Sequence, residues 1–205
     1  MISAVLLGAG EGRRMGADKL SLPWGNQTIL ERSLETLMRS RIDEVIVVVH
    51  RDPGNWKNDL RGKRVRFVLN PEYRRGMSTS IRKGILKVDP SSRGILIALG
   101  DQPFLKPRTI NALIRAFSEG KGTIVIPAYR GKRGNPVLFD RCHKKELLQL
   151  EGDVGGKSII ETHPGRIVEL RTRSPAVIRD IDTWKDYRKA CKMKVKTMRR
   201  NHSFH

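Results

Sequence analysis

The first 25 residues, MISAVLLGAGEGRRMGADKLSLPWG, constrain this chain more than any other stretch. Residues 3–7 are small or apolar and rich in strand formers, so they read as a buried strand. Gly8, Gly10, Gly12 and Gly16 follow, interleaved with Arg13, Arg14 and then Lys19. Glycines let a backbone turn sharply and bring its amide N–H groups up to a ligand. Arginine and lysine beside those amides add fixed positive charge. A strand feeding a basic, glycine-rich loop is a phosphate-binding arrangement. Spacing excludes two common phosphate loops. A dinucleotide fingerprint begun at Gly8 needs a glycine where Arg13 stands, and a Walker loop needs Lys and Ser/Thr after Gly16, where Ala17 and Asp18 stand.

The rest of the chain alternates helix and strand patterns. Leu30, Leu34, Leu37 and Met38 share one helical face, and Thr28 with Glu31 predicts a capping box at its start. Residues 44–50 (EVIVVVH) form a near-continuous apolar run, as expected of a parallel strand covered on both faces. The opening is therefore a strand–loop–helix–strand unit. Residues 65–69 read as a further strand, stopped by Asn70-Pro71. Ser78 or Thr79 is expected to cap a helix carrying Ile81, Ile85 and Val88. Residues 95–99 (ILIAL) are another buried strand. Pro107 suits the first turn of a helix whose packed face holds Ile110, Leu113, Ile114 and Phe117. Residues 123–127 read as a strand, 129–136 as a basic turn leading into another, and 177–183 as the end of a last one, after a short helix ending at Leu150. The pattern predicts an α/β fold in a single domain over residues 1–190, with no internal repeat.

A second anchor lies after the strand at 95–99, in Gly100-Asp101-Gln102-Pro103. Ligands of parallel α/β sheets bind outside the carboxyl ends of the strands. A carboxylate there can reach a phosphate-bound Mg²⁺, which takes oxygen ligands and needs only one or two from the protein.

Composition narrows the partners. No run of 18 apolar residues predicts a membrane span, and the N-terminus lacks a signal-peptide pattern. Cys142 and Cys191 lack metal-ligand spacing and read as free thiols in a reducing cytoplasm. There are 41 Lys+Arg against 21 Asp+Glu, a net charge of +20, which favours anionic partners. Many of these charges crowd residues 185–200, and residues 191–205 read as a basic, solvated or disordered tail. A nucleic-acid-binding protein is the competing class. It lacks a helix-turn-helix, a zinc finger or an aromatic platform, with aromatics only 5% of the chain, so such binding is expected to be nonspecific at most.

The segments Leu7-Gly8-Ala9-Gly10, Arg14-Met15-Gly16, Lys19 and Leu22-Pro23-Trp24-Gly25 together resemble the signature loop of the molybdenum-cofactor nucleotidyltransferases. Ala9 makes the match closest to the cytidylyltransferase branch, since the guanylyltransferases typically end this strand with Leu-Ala-Gly-Gly. Gly100-Asp101-Gln102-Pro103, Gly76 to Ser80, Gly152 to Lys157 and Asp180-Ile181-Asp182-Thr183 resemble later motifs of that family, in the same order over about residues 1–190. Asn135 and Trp184 stand where the family usually has His and Pro.

The resemblance implies a Rossmann-like three-layer domain with a mostly parallel sheet, of the nucleotide-diphospho-sugar transferase type. It implies transfer of CMP from CTP to the phosphate of molybdopterin cofactor, with guanylyl transfer from GTP, or transfer to a sugar or polyol phosphate, as alternatives. A molybdenum hydroxylase apoenzyme would be the downstream partner, and a non-catalytic delivery protein is a further alternative. In this reading Leu7, Gly8, Ala9, Gly10, Glu11, Gly12 and Arg13, with Gly76, Ser78 and Ser80, bind the nucleotide. Lys19, Arg14 and Asp101 serve catalysis, and Asp101 with Asp182 holds Mg²⁺.

Overall fold

The computed structural model describes residues 1–10, 15–52 and 64–202, with side chains described as far as residue 193. Its centre is β1 (Ile2–Gly8), buried along its whole length. β1 pairs in parallel with β4 (Glu44–Val49) on one side and β6 (Gly94–Leu99) on the other. β5 (Val65–Leu69) extends the sheet in parallel beyond β4. Beyond β6 come β9 (Val137–Asp140), antiparallel, then β7 (Ile124–Tyr129) and β10 (Ile167–Arg171), a parallel pair. The order is β10-β7-β9-β6-β1-β4-β5, with β8 (Lys132–Arg133) folded back on β7. β2 (Pro23–Trp24) and β3 (Gln27–Thr28) form a separate small hairpin.

Strand periodicity divides the apolar residues between two cores. Ile2, Ala4 and Leu6 of β1 join Leu30, Leu34 and Leu37 of α1 (Ile29–Met38) and Ile110, Leu113 and Phe117 of α3 (Pro107–Ser118). Ala190 of α6 (Trp184–His202) closes that layer. Val5 and Leu7 face the other way, onto Ile81 and Ile85 of α2 (Met77–Ile85), Leu147 of α4 (Lys144–Leu148) and Ile159 of α5 (Lys157–Thr162). Helices on both faces explain why β1, β4 and β6 are apolar at nearly every position rather than at alternate ones. The result is a three-layer α/β domain with a mostly parallel centre.

Local signals act as expected in several places. Thr28 and Glu31 form a reciprocal capping box, and Pro107 opens α3. Two expectations are corrected. Ser78 and Thr79 do not cap α2; Gly76 holds that position, and Ser78 and Thr79 lie inside the first turn. The Thr79 hydroxyl instead donates to the carbonyl of Gly76 at 2.9 Å. Residues 177–183 are not the end of a strand. Ser174 and Pro175 start a 3-10 turn over Pro175–Ile178, and the backbone beyond bonds to loops: Val177 O accepts from Asn135 N, and Ile181 N donates to Asp101 O. β10 went unread because it is a short edge strand with exposed Glu169 and Arg171. α6 runs through residue 190, where the domain was expected to end.

α2 lies so close to β1 that a Cβ on Gly84 would sit 2.3 Å from the buried Val5 Cγ1. Helix propensity alone would favour alanine by about 1 kcal/mol. Overpacking against a fixed strand costs about 1–3 kcal/mol, so packing decides the sign. Gly84→Ala is expected to lower the urea midpoint without changing the slope of the transition.

Candidate active site

From β1 the chain moves outward to β4 and β5, then returns to place β6 on the other side of β1. Such a reversal opens a crevice at the carboxyl ends of the two central strands. Leu7 lies opposite Leu99, and Gly100 N donates to Leu7 O at 3.0 Å, so the segments leaving both strands start side by side. A cleft of about 560 Å³ opens there. Leu7, Ala9, Gly10, Lys19, Gly76, Ser80, Asp101 and Asp182 all line it.

Three distant segments meet at one ammonium group. Lys19 opens a 3-10 turn, Lys19–Ser21, which is capped by the side chain of Asp18. Lys19 Nζ donates to Asp101 Oδ2 at 2.6 Å and to Asp182 Oδ1 at 2.7 Å. Asp101 stands just beyond β6, and the Ile181 N to Asp101 O bond holds the chain of Asp182 against it. Lys19 and Asp101 are largely buried, whereas the Asp182 side chain is nearly half exposed. Burial works against the Lys19 ammonium, but attraction and hydrogen bonding from Asp101 and Asp182 outweigh it and raise its pKa. Burial also pushes the Asp101 carboxyl up, against the pull of Lys19, with the neighbouring charge of Asp182 adding to the rise.

This donor set suits a hard divalent cation. Asp101 Oδ1 is buried and has no hydrogen-bond partner among the described residues, leaving an oxygen for a cation. Asp182 offers a second, solvent-accessible carboxylate, and oxygen ligands are what Mg²⁺ and its chemical relatives take. Asp180, which the sequence reading did not assign to the site, also lines the cleft. It accepts from Gln102 Nε2 at 2.6 Å, and burial, with the charge of Asp101 next, raises its pKa. Its spacing two residues before Asp182 was the signal available in the sequence.

The far wall is the start of α2. Gly76 has φ +114°, and its N-cap position supplies no side chain. The loop before α5 does the capping: Asp153 Oδ1 accepts from Met77 N at 3.1 Å and Gly152 O accepts from Ser78 N at 3.2 Å. Asp153 was likewise unassigned, although it falls in a segment singled out by resemblance. Tyr73, Arg74 and Arg75 also border the cleft here, adding cationic groups that sequence reasoning had not placed.

The expected residues are distributed unevenly. Leu7, Ala9, Gly10, Gly76, Ser80, Lys19, Asp101 and Asp182 converge on the cleft. Gly8 does not line it; its missing Cβ makes room for Val48 O and the Leu30 methyls. Ser78 is buried with its hydroxyl unpartnered among the described residues. Glu11, Gly12, Arg13 and Arg14 lie outside the described residues. Trp184, unusual for its motif, donates from Nε1 to Met15 O at 3.0 Å, and Tyr187 OH donates to Pro23 O at 2.7 Å. The start of α6 thus pins the segments on either side of Lys19.

Lys19→Ala would leave buried Asp101 beside Asp182 without its counter-ion, a strongly destabilising change. Its melting temperature is expected to fall, and added Mg²⁺ or Mn²⁺ should recover part of the loss. Asp101→Asn should show no such metal-dependent recovery. At Gly76 an added Cβ would sit 2.3 Å from Gly152 O. Gly76→Ala is therefore expected to cost about 1–3 kcal/mol in chemical denaturation and to weaken nucleotide binding.

Residues 4–167 match the MobA-like NTP transferase domain. Purine catabolism protein PucB of Bacillus subtilis (strain 168) is 28% identical over 89% of this chain and 92% of its own length. The molybdenum cofactor cytidylyltransferase of Escherichia coli (strain K12) is 24% identical over 91% of this chain and 93% of its own. A probable molybdenum cofactor guanylyltransferase of Methanosarcina acetivorans is 31% identical over 76% of this chain and 69% of its own. Among solved structures, a nucleotidyl transferase from Methanothermobacter thermautotroptrophicus has a TM-score of 0.78 at 26% identity, covering 96% of this chain and 99% of that one. Rv0371C of Mycobacterium tuberculosis H37Rv, in complex with manganese, has a TM-score of 0.74 at 28% identity, covering 93% of this chain and 97% of that one. A lysine and two carboxylates at the switch point of this sheet thus sit in a chain that belongs to the MobA-like NTP transferase family, a nucleotidyltransferase of the nucleotide-diphospho-sugar transferase fold.

Proposed function

We propose that this nucleotidyltransferase moves CMP from CTP to the terminal phosphate of molybdopterin cofactor and releases pyrophosphate. The observation that carries the reading is the Lys19 ammonium bonded to both Asp101 and Asp182 in the cleft that Gly10 also lines. An acceptor phosphate is already an anion at neutral pH and needs no general base. Its oxygen attacks the α-phosphorus in line, and the bond to the pyrophosphate oxygen breaks. The protein's part is then positioning and charge neutralisation. The amides of Gly10, Gly12 and their neighbours, with Arg14, hold the β- and γ-phosphates. Lys19 neutralises charge on the α-phosphate and on the departing pyrophosphate. Asp101 and Asp182 hold Mg²⁺, which when bound offsets the phosphate charge. Gly76, Ser78 and Ser80 form the base and ribose side of the cleft.

Molybdopterin as acceptor is supported by the relatives named for that cofactor. Those relatives carry both cytidylyl and guanylyl names, so the preference for cytosine rests on Ala9, whose methyl narrows the cleft against a purine. Guanylyl transfer from GTP is the second reading, and a molybdenum hydroxylase apoenzyme in the cytoplasm is the receiver expected for the product.

A thermal-shift panel with CTP, GTP, ATP and UTP, each with and without Mg²⁺, separates these readings. Ligand at about a hundred times its dissociation constant adds roughly 2.7 kcal/mol of stability. Stabilisation by CTP with Mg²⁺ alone is the expected result; a preference for GTP overturns the role of Ala9, and equal response to all four overturns the proposal. In turnover assays Lys19→Ala is expected to reduce kcat by about 100- to 1000-fold with little change in KM, as for a charge-stabilising donor.

A further inference from the structure

On the α2 side of the sheet, beside the start of β7, a second cluster uses none of the residues assigned above. His143 ends a 3-10 turn over Arg141–His143, Glu146 lies on α4, and His163 follows α5. One nitrogen from each histidine and the Glu146 carboxylate lie within 4.8 Å of one another. His143 Nδ1 is 2.8 Å from Glu146 Oε1, and His163 Nε2 is 2.7 Å from Glu146 Oε2.

We propose that His143, Glu146 and His163 bind a divalent transition-metal ion of the zinc type, which clasps α4 to the end of α5.

Four observations support the site. Two imidazole nitrogens and one carboxylate are a zinc-type donor set rather than an all-oxygen set for Mg²⁺. His143 Nε2 lies 2.8 Å from Thr123 Oγ1. In the tautomer that donates Nε2–H to that hydroxyl, Nδ1 turns its lone pair on the cluster, and an outer hydrogen bond of this kind orients metal-ligating histidines. His143 is almost fully buried and fixed, with Phe139 packed edge-on against its ring. Glu146 and His163 are each about one-third exposed, so an ion can enter, water can fill the open position, and both can turn inward to ligand distances near 2 Å.

The position gives the clasp a consequence. The chain between Glu146 and His163 contains Gly152 and Asp153, the two residues that cap α2 at the cleft. Closing the ends of that segment limits the freedom of the loop it carries.

The test uses the full chain, stripped of metal and exchanged into metal-free buffer. Titration with Co²⁺ is expected to give visible d–d absorption saturating at one equivalent, and Zn²⁺ is expected to abolish that band and raise the melting temperature. His163→Ala and Glu146→Gln should each lose the band while still showing a cooperative melt. Asp182→Asn should keep it, which separates this site from the carboxylates of the cleft. Thr123→Val should weaken Zn²⁺ binding by about 10- to 100-fold through the orienting bond. No d–d band in the wild type, or an unchanged band and Zn²⁺ shift in both His163→Ala and Glu146→Gln, overturns the proposal and leaves the trio as a hydrogen-bonded network. These readouts need no turnover, so failure of the clasp and failure of the proposed reaction are distinguishable.

Discussion

The parallel pairing of β1 with β6 is the contact on which the rest of the molecule depends. It makes the N-terminal strand the centre of the sheet although the two strands are separated by most of the first hundred residues. Only this pairing sets the loop after Gly8 beside the turn at Gly100 and Asp101, and only a strand buried on both faces can occupy the centre. The apolar character of β1 and its location at the site therefore have one cause.

Charge is organised around that seam. The chain is strongly basic, yet the cleft gathers Asp101, Asp180, Asp182 and Asp153. Carboxylates brought this close would repel one another and the phosphates of a nucleotide. Lys19 relieves the first problem by bonding to two of them, and a divalent cation would relieve the second. Lys19 bonds one oxygen of Asp101 and leaves the other, Oδ1, without a partner among the described residues, so the carboxylate has room for a cation beside the lysine. The same side chain thus offsets the carboxylate charge from two segments far apart in the chain.

Much of this was legible in the sequence, because the strongest signals there are geometric. Continuous apolar runs marked the central strands, and glycines followed by Lys19 and Asp101 at strand ends marked the cleft. What escaped was set by contacts between segments far apart in the chain. Ser78 has the chemistry of a cap, but the cap of α2 comes from Gly152 and Asp153, about 75 residues away by the spacing of the Met77–Asp153 bond. Val177 and Ile178 have the composition of a strand, but Pro175 and the loop contacts of Val177 draw them into a turn. β10 hides among charged residues because edge strands need less apolar cover. The His143, Glu146 and His163 trio likewise depends on contacts between segments: a spacing of 17 residues between Glu146 and His163 says nothing until the residue after α5 meets α4.

The anchoring of Met15 and Pro23 by the start of α6 has a bearing on the order in which the chain is made. A chain leaves the ribosome N-terminus first, whereas a domain generally folds as a unit. Here β1, Met15 and Lys19 emerge long before Asp182, Trp184 and Tyr187. A nascent chain cannot close the lysine between its carboxylates or fasten Met15 until residues 182–184 have been translated. Completion of the cleft is thereby tied to synthesis of residues 182–187, and a product stopped before them would carry Lys19 without Asp182 and without the contacts of Trp184 and Tyr187.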